Sequence, residues 1–166
     1  MLLLVDLDGV TVDFTGSVCK AHNKLTGDSL SPDDLDQHDY SKFGIRKTTW
    51  QQPGFFYDLE PYPGAVEALW KAQQNGHKLW IVTNSMNVGF VEADKKQWVE
   101  ENIPFVRGLI FTDKKHLVPG DMLIDDCPEY LENYPGTTVK INRPYNRHVK
   151  ADYTYDSLAE AIRAVC

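Results

Sequence analysis

Five short apolar runs, Leu2 to Asp6, Lys78 to Thr83, Arg107 to Thr112, Met122 to Asp125 and Thr138 to Ile141, constrain the architecture open to this chain. Each is nearly continuous in Leu, Ile and Val rather than alternating, the pattern of strands covered on both faces. Helical signals separate them. Pro63-Gly64 opens AVEALWKAQQNG, in which Val66, Leu69, Trp70 and Gln73 follow i, i+3, i+4 spacing and Gly76 supplies a stop. Phe90 to Asn102 carries Phe90, Ala93, Gln97 and Trp98 on a similar period, and Ser157 to Val165 turns Leu158, Ile162 and Val165 inward. Strands alternating with helices imply an α/β fold, a three-layer Rossmann-like parallel sheet with helices on both faces.

One stretch breaks the alternation. Thr15 to Glu60 is long, polar and turn-rich, with helix-like pieces at Val18 to Leu25 and Leu35 to Phe43, and it runs into the aromatic cluster WQQPGFFYDLEPYPG. A connection of that length exceeds a simple crossover and predicts a small helical cap inserted after the first strand. The expected division is a core of residues 1–14 and 62–166 and a cap of residues 15–61. Binding sites in parallel sheets lie beyond the carboxyl ends of the strands, where this insert leaves and returns.

Composition narrows the classes of function. The 166 residues, 42% hydrophobic and 25% charged, suit one soluble domain. A formal charge of -7 argues against a long nucleic acid as partner, because such proteins present a basic face to phosphates. No apolar run is long enough to cross a bilayer, and MLLLV, cut short by Asp6, lacks the basic and small-residue flanks of a signal peptide. Cys19, Cys127 and Cys166 form no CxxC pair, which suits a reducing cytoplasm; His22, His38, His77, His116 and His148 lack zinc-ligand spacing.

The chemistry concentrates at strand ends. Asp6 and Asp8 close the first apolar run, and Asp125-Asp126 close a later one. A carboxylate at the edge of an apolar core is costly unless a cation or hydrogen-bond donors compensate. Two such pairs predict a shared cation, with Mg²⁺ suited to carboxylates, waters and phosphate oxygens. Gly9 lets the backbone turn sharply after the first pair. Thr83, Asn84 and Ser85, at the end of IVTNS, offer donors to phosphate oxygens, and Lys95, Lys96, Lys114 and Lys115 are positional candidates for a charge-neutralising lysine.

VDLDGV, a Thr ending a second hydrophobic strand, a downstream Lys and LIDD, in that order, resemble the four motifs of the haloacid dehalogenase superfamily of aspartate-nucleophile phosphotransferases. DLDGVTVDF, FFYDLEPYPGAVEAL, DKKQWVEENI, LIDDCPE and INRPYNRH are similar to its 5'(3')-deoxyribonucleotidase branch. The resemblance implies that Asp6 is the nucleophile and Asp8 the general acid and base. It implies that Mg²⁺ is held by the Asp6 carboxylate, the Asp8 backbone carbonyl and Asp125, with Asp126 in support. Thr83, Asn84 and Lys95, which stands three residues before WVE, would hold phosphate, with Lys96 the competing choice. Phe14, Trp50 and Phe56 would enclose the nucleobase. The chain departs from the animal enzymes at Asn84, where serine is expected, and at Cys127, where arginine is expected.

The resemblance implies an Mg²⁺-dependent phosphoric monoester hydrolase acting on nucleoside monophosphates, deoxyribonucleotides first, through an aspartyl-phosphate intermediate, in the cytoplasm and as a monomer or homodimer. A phosphatase of another small ester, such as a sugar phosphate, and a nucleotide-binding regulator without turnover are the alternatives. Phe55, Tyr57 and Tyr62 read as structural, Cys127 as a small buried residue, and NRPYNRH, with Arg143, Arg147 and His148, as a surface loop, with a family-like structural role at that edge as the alternative.

Overall fold

A computed structural model describes all of residues 1–166. Six strands, β1 (Leu2–Val5), β2 (Lys78–Thr83), β3 (Gly108–Phe111), β4 (Met122–Asp125), β5 (Thr137–Ile141) and β6 (Tyr153–Tyr155), form one sheet in the order β3-β2-β1-β4-β5-β6. Every neighbouring pair is parallel. β6 has no counterpart among the five apolar runs: its three residues, YTY, sit at the sheet edge with Tyr153 exposed, so burial leaves no apolar pattern there. The order reverses between β1 and β4. From β1 the chain travels outward to β2 and β3, then returns to start again at β4, and connections leaving β1 and β4 diverge to open a crevice at their carboxyl ends.

The two faces of the sheet are covered unequally. Along β1, β2 and β4 alternate side chains, including Leu3, Val5, Leu79, Ile81 and Ile124, join a large apolar cluster shared with the helices α1 (Phe14–Thr26), α2 (Ala65–Gln74), α3 (Gly89–Asn102) and α5 (Leu158–Val165). Their neighbours Leu4, Val82 and Leu123 face a smaller cluster that includes Tyr134, just past the short helix α4 (Pro128–Asn133). Burying each such aliphatic side chain contributes about 1.5–3 kcal/mol, so the larger cluster carries most of the stabilisation.

Helix register departs from the expected faces. In α2 the buried residues are Ala65, Ala68, Leu69 and Ala72, while Trp70 is 47% exposed and rests against Phe105. α2 packs against α5, and a Cβ on Gly64 would be in contact with Ala159 at 3.4 Å. In α3 the buried stripe is Val91, Lys95, Trp98 and Val99, and of the expected face only Trp98 is on it. A lysine occupies a core position there, and hydrophobic periodicity cannot count it. In α5 the buried stripe is Leu158, Ala161 and Ile162, with Val165 only half-buried.

The insert begins with α1, capped by Asp13, whose Oδ1 accepts from Gly16 N at 2.9 Å, and ended by Gly27 in left-handed conformation. Three 3₁₀ turns follow, Pro32–Asp34, Tyr40–Phe43 and Lys47–Thr49, in place of one helical piece over Leu35 to Phe43. The two ends of the insert are pinned together: Asp13 N donates to Glu60 O and Tyr62 N to Thr11 O, both at 2.9 Å. Leu35, Tyr40, Ile45, Trp50 and Phe56 from this region belong to the same apolar cluster as the sheet.

Candidate active site

The loop after β1 separates its two aspartates. Thr11 N and Val12 N both donate to Leu7 O at 2.9 Å, and Thr11 Oγ1 closes the loop on Asp6 O at 2.7 Å. Gly9 turns the chain with φ of 74°, and a Cβ there would lie 2.1 Å from Asp126 Oδ2. Asp6 and Asp8, which would share a face in an extended chain, are sent to opposite halves of the floor.

In the first half Asp6, Asp125 and Asp126 converge. All three are buried, and one oxygen from each lies within 4.8 Å of the others. Strand order explains the meeting: β1 pairs with β4, and Asp6 N donates to Ile124 O at 3.0 Å. Lys115, fully buried and not singled out by the sequence beyond its position, places Nζ 2.6 Å from Asp125 Oδ2 and 2.8 Å from Asp6 Oδ1. Asp125 Oδ1 accepts from Asp126 N and Cys127 N, both at 2.9 Å. Asp6 Oδ1 has the charge contact but no hydrogen bond.

The electrostatics show a deficit of positive charge. Burial pushes Asp125 up to about 6, with Lys115 opposing and Asp6 adding. Burial, then the charges of Asp125 and Asp6, raise Asp126 well above the carboxylate range. Burial works against the charge of Lys115, but Asp125 and then Asp6 outweigh it and hold the ammonium protonated. Three carboxylates against one ammonium, with only oxygen donors and an Asp6 oxygen whose one partner is the Lys115 charge, fit a hard divalent cation.

The second half holds Asp8. Lys95 Nζ, completely buried, donates to Asp8 Oδ2 at 2.6 Å, to Thr83 Oγ1 at 2.9 Å and to Asn84 O at 2.6 Å. It lies 4.9 Å from the centre of the Phe56 ring. Burial raises the Asp8 carboxyl above its usual range while the Lys95 charge pulls the other way, and Asp8 Oδ1 has no partner. Lys96 points away from the site to Glu100 on the helix surface. Asn84 uses its side chain locally, with Nδ2 donating to Tyr130 Oη at 3.1 Å and Oδ1 accepting from Met86 N at 2.7 Å.

A cavity of about 900 Å³ opens above both halves, within the range of small-molecule sites. Its floor includes Asp6, Asp8, Thr83, Asn84 and Lys115, and its roof includes Phe14, Tyr40 and Trp50. Phe14 meets Trp50 edge-on at 6.0 Å, and the Trp50 indole N–H has no protein partner. Phe56 does not line the cavity. It is 1% exposed and stacks behind Phe14 at 5.6 Å. Cys127 stands at the start of α4 with its thiol pushed up to about 12, first by burial.

Sequence reasoning missed one whole element of the site. The segment read as a surface loop turns inward: Arg143 Nε donates to Gly9 O at 2.9 Å, Asn146 Nδ2 to Asp126 O at 2.7 Å, and the Tyr145 hydroxyl to the Asp126 carboxylate. Tyr145 and Asn146 are buried. The available signal was polar residues directly following the apolar strand β5, the same placement that marks Asp6 and Asp125. Lys115 lies ten residues before Asp125, with nothing local to distinguish it from Lys114.

Comparison with known proteins bears on the family and the fold. The family model described as "5' nucleotidase, deoxy (Pyrimidine), cytosolic type C protein" matches residues 1–165. A "Putative 5'(3')-deoxyribonucleotidase" of Bordetella pertussis is 33% identical over 168 residues, covering 94% of this chain and 86% of its own. A protein of the same description from Staphylococcus aureus strain Mu50 is 30% identical over 156 residues, covering 87% and 83%. Among solved structures, a Lactobacillus delbrueckii protein described as a putative phosphoglycolate phosphatase superposes with a TM-score of 0.69 at 17% identity, covering 99% of this chain and 97% of its own. L-2-haloacid dehalogenase from Xanthobacter autotrophicus superposes with a TM-score of 0.64 at 12% identity, covering 99% and 98%.

Proposed function

We propose, from the premise that this chain belongs to the cytosolic type C 5' nucleotidase family and is a phosphatase of the haloacid dehalogenase superfamily, that it hydrolyses nucleoside monophosphates, deoxyribonucleotides first among them. The observation that carries the reading is the split floor beneath an aromatic cavity: a carboxylate cluster with Lys115 on one side and the Asp8–Lys95 pair on the other. Each half suits one role.

Asp6, paired with Lys115, attacks phosphorus, and the ester bond to the leaving oxygen of the sugar breaks as the aspartyl-phosphate forms. Asp8, whose Oδ1 is unpaired and whose carboxyl is raised by burial, delivers a proton to that oxygen. It then takes a proton from the water that attacks the phosphoenzyme, releasing phosphate and restoring Asp6. Thr83 and Asn84 line the cavity on the Asp8 side, and Lys95, bonded to both from behind, supplies positive charge toward the phosphoryl oxygens. Asp6, Asp125 and Asp126, with the Asp8 backbone carbonyl, would hold Mg²⁺, which supplies positive charge to the phosphoryl group. Phe14 and Trp50 offer their rings to the base, with Phe56 supporting Phe14 from behind.

No helix is long and apolar enough to cross a membrane; the cytosolic description of the matching family supports a cytoplasmic enzyme. The test is phosphate release measured by malachite green across ribo- and deoxyribonucleoside monophosphates and sugar phosphates. Deoxyribonucleotides should be turned over in Mg²⁺, and Asp6→Asn should abolish turnover while leaving the circular dichroism spectrum unchanged. Equal rates on sugar phosphates would remove the nucleotide assignment, and nucleotide binding without release would point to a regulator.

A further inference from the structure

Asp126 has a peculiar setting. It is buried beside two other carboxylates, so in the protein alone repulsion pushes it away from the position a shared cation requires. Something must hold it. Its backbone carbonyl is taken by Asn146 Nδ2 at 2.7 Å, and the only protein group that hydrogen-bonds its carboxylate is the hydroxyl of Tyr145.

The carboxylate lies in a slot with two walls. One wall is Gly9, where any Cβ would collide with Oδ2 at 2.1 Å; the other is Tyr145, whose hydroxyl lies 3.2 Å from that same point. Both walls are held by one short segment after β5. Arg143 fixes Gly9 through its carbonyl at 2.9 Å and lies over the Tyr62 ring at 4.5 Å. Arg143 N donates to Asn146 Oδ1 at 2.9 Å, which closes the segment into a rigid turn around Tyr145. The ring of His38, from the insert, meets the Tyr145 ring edge-on at 5.3 Å.

We propose that Tyr145 is a positioning residue that presets the Asp126 carboxylate for a divalent cation. The proposal rests on the metal centre described under the proposed function. Fixing the carboxylate in advance removes the cost of ordering it and of bringing like charges together when the cation arrives. A hydroxyl does this without neutralising the charge that attracts the cation, as a lysine or arginine would.

Tyr145→Phe isolates the hydroxyl, because it keeps the ring and its contact with His38. Mn²⁺ titrated into the protein and followed by electron paramagnetic resonance should show a dissociation constant about tenfold weaker than in the parent. Half-maximal turnover of the preferred nucleotide should require about tenfold more Mg²⁺ than in the parent, because the hydroxyl is lost while all three carboxylates remain. Melting in EDTA verifies the fold, and Tyr134→Phe, which removes a hydroxyl from Gly120 O on the far face of the sheet, serves as the structural control with unchanged Mn²⁺ affinity.

The decisive measurement is a double-mutant cycle. If Tyr145 acts through Asp126, adding Tyr145→Phe to Asp126→Asn weakens Mn²⁺ binding by less than about twofold further. Unchanged Mn²⁺ affinity in Tyr145→Phe, or a full tenfold loss that persists in the Asp126→Asn background, overturns the proposal. Failure of the parent protein itself to bind Mn²⁺ overturns both the proposal and the metal centre, and it is told apart because it is seen before any substitution is made.

Discussion

Lys95 and Lys115 are both completely buried, yet they keep different company. Lys115 is shared between two carboxylates, Asp6 and Asp125, on the side where three acidic groups meet. Lys95 serves one carboxylate, Asp8, and divides its remaining donors between a hydroxyl and a carbonyl. The first half of the floor therefore keeps excess negative charge and invites a cation, whereas the second is locally neutral and suits a carboxyl that must gain and lose a proton. Two aspartates one residue apart acquire different chemistry from their neighbours, and the turn at Gly9 makes the separation possible.

Removing the ammonium from the first half should have the largest effect. Lys115→Met leaves Asp6 and Asp125 buried without their counter-charge; it should lower stability in EDTA by about 3–5 kcal/mol and turnover by about a thousandfold. Urea denaturation with and without Mg²⁺ checks the first figure, and a loss that Mg²⁺ fails to reduce would contradict a cation site. Lys95→Met strips a partner from one carboxylate only, so turnover should fall about a hundredfold. Equal losses for the two lysines would erase the asymmetry.

The charge deficit also gives a pH signature. Asp125 is held near 6, above the ordinary carboxylate value, chiefly by burial. Between about pH 4 and 6 the folded chain keeps a proton that the unfolded chain has released, so metal-free protein should lose on the order of 2–3 kcal/mol of stability from this group as pH rises through that window. Bound Mg²⁺ takes the place of the proton and should flatten the slope, measurable by denaturation at several pH values in EDTA and in Mg²⁺. At the smallest end, Lys96→Ala removes only an exposed pairing with Glu100 and should change stability by less than about 0.5 kcal/mol and turnover by less than about twofold. A large effect would show that the helix face had been misassigned between these adjacent lysines.

The legible parts of this site share one property. Asp6 and Asp125 each end an apolar strand, where a charge is conspicuous because its desolvation demands compensation. Thr83 ends β2 in the same way. Lys115 was not distinguishable from Lys114, because its two partners come from β1 and β4, which become neighbours only through the strand order. Tyr145 and Asn146 were hidden for a related reason: a polar turn after a strand looks solvated unless its partners across the crevice are known. Trp70 shows the reverse error, a bulky residue on the expected stripe that is half exposed and rests against Phe105 while Ala65, Ala68, Leu69 and Ala72 form the buried stripe.

The sequence by itself determined the five principal strands of the parallel sheet, the long insert after the first of them, and the acidic residues at the strand ends, since these are local patterns of hydropathy and charge. Only the tertiary structure decided that Lys115 joins Asp6 and Asp125 while Lys95 pairs with Asp8, and that Tyr145 reaches Asp126. Those pairings depend on which strand ends lie side by side, and the energy that selects them comes from burying groups far apart in the chain within one low-dielectric crevice.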